Sequence, residues 1–140
     1  MAKIIRHSDL TVYQLAFQSA MSIFHLSKSF TAEEKFSLTD QIRRSSRSVA
    51  ANIAEAWRKR RYEKSFIAKL SDAEAEAAET QTWLDFAKAC GYIEEQQWTD
   101  LIEKYEYLIS MLVKISNSPE NWVKNASLRK PVQVNMALQR

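Results

Sequence analysis

The chain has very little punctuation. Its 140 residues include one glycine, Gly91, and two prolines, Pro119 and Pro131. Sheets need turns, and turns draw on glycine, proline, asparagine and aspartate at special dihedrals. A chain this short of them, and rich in Ala, Leu, Glu, Lys, Arg and Gln, reads as long helices. Cys90 is the only cysteine. That excludes an intramolecular disulfide and a cysteine-based zinc site. No apolar run approaches membrane-spanning length, and residues 1–9 lack the apolar core of a signal peptide. A soluble, cytoplasmic protein without membrane contact is expected. The length suits one domain with a real core.

What is present is a segregation of charge. The formal net charge is +3. From Arg43 to Lys69 nine basic residues face only Glu55 and Glu63, a net +7. From Asp72 to Glu106 ten acidic residues face only Lys88 and Lys104, a net −8. A chain so divided suits either an anionic ligand or self-association.

Four helices can be drawn. The first runs from about Asp9, as N-cap, to about Lys28, with an apolar face of Tyr13, Phe17, Ala20 and Phe24. Thr31-Ala32-Glu33-Glu34 has the form of a capping box, with Thr31 as N-cap and Glu34 reaching back. The second helix follows with an inner face of Leu38, Ile42, Ser45, Val49, Asn52 and Ala56. The third runs from about Tyr62 to Cys90 on Phe66, Leu70, Ala73, Ala77, Thr80, Leu84 and Ala87, and Gly91 stands where a left-handed C′ cap belongs. The fourth carries Trp98, Leu101, Tyr105, Leu108, Leu112 and Ile115 and stops at Asn117-Ser118-Pro119. Alternating steps of three and four are the seam of helices crossing at shallow angles. Short connections favour antiparallel neighbours, so the predicted fold is all-α, an antiparallel up-down-up-down four-helix bundle over residues 1–116. Residues 117–140 lose that periodicity. Beyond Pro131, Val132, Val134, Met136 and Leu138 alternate at period two, which fits either a disordered tail or a strand added to a partner.

Catalytic chemistry is hard to assemble from these residues. His7 and His25 stand near or on the first helix, and neither belongs to the Glu-x-x-His pair of di-iron bundles. There is no glycine-rich phosphate loop, no His-Glu-x-x-His and no nucleophile elbow. No catalytic residue, metal ligand or cofactor is assigned, and the chain is not read as an enzyme.

The basic segment is the candidate site. If the second helix continues to Arg61, then Arg43, Arg47, Arg58 and Arg61 fall within about 60° of one another at about 100° per residue. Ala51 and Ala54 between them leave guanidinium groups accessible, and Arg44, Lys59, Arg60 and Lys64 broaden the patch. Such a stripe suits RNA or DNA, whose affinity for proteins comes largely from displaced counterions. The alternatives are a contact with the acidic helices of another subunit or protein, and a solvated face. Trp57 and Tyr62 flank the patch, either to stack on bases or as core or interface anchors. On the inner stripe Ser45 and Asn52 are polar, and Asn52 needs a partner in Glu55, Glu79 or a nearby carbonyl. Such a polar layer of Asn52, Glu55 and Glu79 fixes helix register.

The residues Gln41-Ile42-Arg43-Arg44-Ser45-Ser46, then Ser48-Val49-Ala50-Ala51-Asn52-Ile53-Ala54-Glu55, carry a resemblance. The chain resembles the bacterial four-helix-bundle proteins encoded in intervening sequences of 23S rRNA genes, whose relatives include the accessory variability proteins of diversity-generating retroelements. The likeness extends from about Leu10 to Ile115 and includes Phe66, Leu70, Ala73, Glu79 and Gly91-Tyr92-Ile93. It departs where the glycine usual after Asn-Ile-Ala-Glu is Ala56, and where a Gly-Ser pair of the third helix is Ala75-Glu76. The resemblance implies a homopentameric barrel with a basic surface. In its retroelement branch it further implies assistance to a reverse transcriptase, with the basic patch on template RNA or cDNA.

Overall fold

The structure, a computed structural model, describes residues 4–122. It is a helical bundle of four long helices: α1 (Thr11–Ser27), α2 (Leu38–Arg58), α3 (Glu63–Ala89) and α4 (Glu95–Asn117), with short 3-10 turns at His7–Asp9 and Ala32–Glu34. Among the described residues there is no strand. The segment from Val132 to Leu138, read as either a disordered tail or a strand added to a partner, lies outside them.

The centre of the bundle is the seam between α2 and α3. The buried residues of α3 are Phe66, Leu70, Ala73, Ala77, Thr80, Leu84 and Ala87, the stripe that periodicity predicts. The predicted inner face of α2 is buried too, joined by Ser46, Ala50, Ile53 and Trp57. Small side chains dominate the seam, so the two helices approach closely and each polar group between them must find a partner inside. Ser45 Oγ lies 2.8 Å from Thr80 Oγ1, and Thr80 donates to the Glu76 carbonyl at 2.9 Å. Ser45 also has the Ile42 carbonyl at 3.4 Å, so the shorter threonine–carbonyl bond favours Ser45 as the donor of the pair. Further along, Glu55 meets Lys69 at 2.8 Å. Between α3 and α4, Lys88 meets Glu95, Trp98 donates to Asp85, and Gln81 donates to Glu106.

The first helix departs from expectation by one position. Its buried face is Val12, Ala16, Ser19, Ile23 and Ser27. Phe17 is 49% exposed, and Tyr13, Ala20 and Phe24 are only half-buried. The helix is apolar on two sides, and the large aromatics outweigh the small residues that actually fit against α2 and α4. Spacing alone cannot choose between two such stripes.

The ends also differ in detail. The Asp9 carboxylate accepts from the backbone N–H groups of Ile5 and Arg6, so it closes the 3-10 turn, and Leu10 stands at the N-cap of α1. Those two bonds hold its carboxyl below the usual carboxylate range. The Thr31–Glu34 capping box does not form. Glu34 instead accepts from the Leu38 N–H at the start of α2 and from the Tyr92 hydroxyl at 2.8 Å, while Thr31 donates to Tyr92. Phe30 packs on the same ring. One phenol thus ties the α1–α2 connection to the α3–α4 turn. That turn ends α3 with Gly91 at φ +77°, where the Tyr92 and Gly91 amides bond the Ala87 and Lys88 carbonyls.

At the opposite end the chain returns to the core after α4. Residues 119–122 are helical, and Trp122 is 3% exposed, edge-on to Trp57 at 5.5 Å and tilted over Phe66 at 5.4 Å. The loss of helical periodicity placed the tail boundary at 117, yet Trp122 is part of the core.

The seam makes a stability prediction. Thr80→Val leaves the Ser45 hydroxyl only the long bond to the Ile42 carbonyl at 3.4 Å and should cost about 1 kcal/mol. Adding Ser45→Ala removes the poorly paired hydroxyl, so the double variant should lose less than the sum of the two single changes. Urea unfolding of the three variants measures this, and strict additivity would refute the pairing.

Candidate nucleic-acid interface

Burial of the Leu38–Ala56 stripe turns the opposite side of α2 to solvent. Asp40, Arg44, Arg47, Ala51, Glu55 and Arg58 are exposed along that side. Arg47 and Arg58 stand about 16 Å apart along the axis at 1.5 Å rise per residue, with the small Ala51 between them. Glu55 is occupied by Lys69. At the end of the helix the turn to α3 presents Lys59 and Arg61, and Lys64 follows on the first turn of α3, all exposed. Among the described residues the ion pairs are those of Lys69 with Glu55 and Asp72 and of Lys88 with Glu95. None involves Arg44, Arg47, Arg58, Lys59, Arg61 or Lys64. The helical-spacing pairs of Asp40 with Arg43 or Arg44 do not form.

Two of the predicted cations are committed to the fold. Arg43 faces α1, where its Nε donates to Ser27 Oγ at 2.8 Å and its guanidinium lies 4.8 Å from the Phe24 ring. Ser27 in turn donates to the Phe24 carbonyl, so a hydroxyl relays between arginine and helix end. Arg60 folds back over Trp57, 3.6 Å from the ring centroid, and donates to the Trp57 carbonyl at 2.7 Å. Burial lowers its pKa from the usual guanidinium value, and the neighbouring Arg58 and Arg61 add to that. It remains a cation at neutral pH.

The single stripe of Arg43, Arg47, Arg58 and Arg61 is therefore not formed. It required α2 to reach Arg61, and α2 ends at Arg58 with Lys59 as C-cap. The exposed cations fall into two groups, Arg44 with Arg47 on the helix and Arg58, Lys59, Arg61 and Lys64 at the corner. Trp57 is buried and serves the core, whereas Tyr62 is 61% exposed beside Arg61.

The polar layer is also rearranged. Asn52 donates to the Ser48 carbonyl at 2.9 Å and lies 3.1 Å from the Ser48 hydroxyl, one turn back on its own helix. Glu55 bonds Lys69 and Glu79 accepts from the Trp83 indole, so the three residues form no common network. The buried polar contact between α2 and α3 is Ser45–Thr80, visible in the sequence only as two hydroxyls on facing stripes.

The remaining titratable groups are placed simply. His7 packs edge-on to Tyr13 and His25 edge-on to Phe24. On the acidic side, burial raises the Glu76 carboxyl, and Glu79 and Asp72 push it the same way. Among the described residues no cluster of three His, Cys, Asp or Glu is arranged to hold a metal ion, and no helix is long and apolar enough to cross a membrane.

Residues 8–114 match the 23S rRNA-intervening sequence protein family. The chain belongs to this family. A solved structure similar to this family member is a protein of unknown function from the S23 ribosomal protein family of Bacteroides thetaiotaomicron VPI-5482. It is 30% identical, with a TM-score of 0.69 over 76% of this chain and 98% of that one. No curated protein matches the chain.

The two roles found for arginine separate in unfolding experiments. Arg43→Ala removes a charge-assisted bond and a stacked cation and should cost about 1–2 kcal/mol. Arg44→Ala should stay within about 0.5 kcal/mol. Equal losses in urea unfolding midpoints would refute the assignment of Arg43 to the fold.

Proposed function

We propose that this protein is a non-catalytic, oligomeric helical bundle that binds RNA or DNA through Arg44, Arg47, Arg58, Lys59, Arg61 and Lys64. What supports the reading is that these six cations are exposed and carry no carboxylate partner among the described residues. Cations left free in this way exchange bound counterions for phosphates, and the spread of about 16 Å along α2 suits a backbone better than a single small anion. Arg43 and Arg60 support the surface from beneath.

In the same reading the four helices run up, down, up, down. Supporting this, residue numbers run in opposite senses in the pairs Ser45–Thr80 and Glu55–Lys69, and again in Lys88–Glu95 and Gln81–Glu106. The assembly is a homo-oligomer, pentameric by resemblance, in the cytoplasm. If the chain serves a diversity-generating retroelement, its protein partner is the reverse transcriptase and its ligand the template RNA or cDNA.

A second reading is favoured by one observation. The exposed apolar side of α1, with Phe17 and the 40% exposed Met21, suits contact with another subunit or protein. On that reading the basic patch contacts a neighbouring acidic surface, and the protein is a scaffold without nucleic-acid binding.

Charge reversal separates the two. Arg58→Glu combined with Arg61→Glu should lower affinity for labelled single-stranded RNA and duplex DNA by at least about tenfold, with a flatter salt dependence and unchanged oligomer mass. Loss of the oligomer in that variant, or absence of binding by the unaltered protein at low salt, would overturn the nucleic-acid reading in favour of the scaffold.

A further inference from the structure

The aromatic rings beside the basic residues divide as the arginines do. Trp57 is buried, with the Arg60 guanidinium 3.6 Å from its centroid and Trp122 edge-on at 5.5 Å. Phe66 is buried against Trp122. On the α1 side Phe24 is half-buried and has Lys28 and Arg43 each 4.8 Å from its centroid. Tyr62 differs from all three. Its ring is 61% exposed, and the guanidinium of Arg61 stands 5.9 Å from its centroid, at the outer limit of a cation–π contact.

A single exposed ring is ordinary on a protein surface. What sets this one apart is its anchoring and its company. Tyr62 is the extended N-cap residue of α3, at φ −112° and ψ 97°. Its N–H donates to the Lys59 carbonyl at 2.8 Å, and its carbonyl accepts from the Phe66 N–H at 2.9 Å. Lys59 is the C-cap of α2 and Phe66 belongs to the core, so the backbone that carries the phenol is tied on both sides. From Arg58 to Lys64 the chain sets five cations against Glu63 alone, and Arg58, Lys59, Arg61 and Lys64 are exposed around the ring's point of attachment.

An unpaired base has its faces free, whereas in a duplex they are spent on neighbouring pairs. An aromatic side chain among phosphate-binding cations therefore adds to the binding of single strands, through stacking that tolerates any base, and adds little to the binding of duplexes.

We propose that Tyr62 makes the α2–α3 corner a site for single-stranded nucleic acid, with an unpaired base stacked on the phenol ring while Arg58, Lys59, Arg61 and Lys64 hold the adjacent phosphates. The inference rests on the reading of the corner as a phosphodiester-binding surface and names the class of strand it takes. The cations set the affinity for any polyanion and its salt dependence. The uncharged ring sets the preference for unpaired bases and leaves the salt dependence alone.

The test uses the full chain and four labelled probes of equal length. These are a homopolymeric single-stranded RNA, the matching single-stranded DNA, a blunt-ended duplex DNA, and a single-stranded DNA backbone made abasic throughout. The unaltered protein should bind base-bearing single strands at least about fivefold more tightly than the abasic strand. Tyr62→Leu should remove that margin, with the slope of log affinity against log salt unchanged and the duplex and abasic strand bound as before. Tyr62→Phe keeps the ring and should keep the margin. A margin for RNA alone assigns the site to RNA, and a margin for both strands assigns it to unpaired bases whatever the sugar.

Equal binding of base-bearing and abasic strands by the unaltered protein overturns the proposal without recourse to any variant. So does a Tyr62→Leu protein that keeps the margin, or a Tyr62→Phe protein that loses it. In each of these cases the corner reading still stands if Arg58→Glu with Arg61→Glu weakens binding. Absence of binding to every probe at low salt removes the corner reading and the role of Tyr62 together.

Discussion

The close approach of α2 and α3 is the constraint on which the remaining structure depends. Ala73 and Ala77 on the inner stripe of one helix and Ser45, Val49, Asn52 and Ala56 on that of the other are all buried. Where Ser45 meets Thr80 the facing side chains are small enough for the two hydroxyls to come within 2.8 Å, each also having a carbonyl of its own helix, Ile42 or Glu76, in reach. The seam also sets the rotation of α2. Once its small face is turned to α3, Arg44 and Arg58 are left to solvent, Arg47 is exposed with its guanidinium 5.8 Å from the Phe24 ring, and Arg43, on the border, is drawn to α1. The exposed basic surface is in this sense the back of a packing decision made on the other side of the helix.

Aromatic rings close the bundle at both ends. Near the α1–α2 and α3–α4 connections, Tyr92 collects bonds from Thr31 and to Glu34 while Phe30 packs on its ring. At the α2–α3 corner, Trp57, Phe66 and Trp122 pack together and Arg60 lies over Trp57. Helix ends expose backbone groups and fray most readily. Large rings there supply the burial that the small-residue seam cannot, and the last of them arrives from a segment with no helical period to announce it.

How much could be read from the residues varied with the helix. The α3 stripe was legible because Phe66, Leu70, Ala73, Ala77, Thr80, Leu84 and Ala87 keep one unbroken alternation of fours and threes, although Phe86 and several alanines lie exposed on other sides. The α1 stripe was not, because Tyr13, Phe17 and Phe24 are larger and more apolar than the Ser19 and Ser27 that occupy the interior. Size and hydropathy mark what is sticky, and only the neighbouring helix decides what fits. Local capping signals failed for a similar reason: Glu34 has the right spacing to cap its own turn, and a tyrosine far along the chain offers a better partner. Most of the basic cluster was legible as charge, but its division into free and committed cations was not. That division depends on where α2 stops and on an aromatic ring beside each of Arg43 and Arg60.

The run Arg58, Lys59, Arg60 and Arg61 makes one turn of the chain carry four adjacent positive charges, one of them half-buried against a tryptophan. Like charges at this spacing raise the free energy of the folded state in dilute salt. The corner thus has much to gain from an anion, and the polyanion of the proposed function, once bound there, would stabilise the whole fold by mass action. Occupancy of the corner and integrity of the Trp57–Trp122 packing beneath it become two readings of a single equilibrium. On the proposed reading, anything that loosens one weakens the other, and a polyanion would act as a folding ligand as well as a cargo.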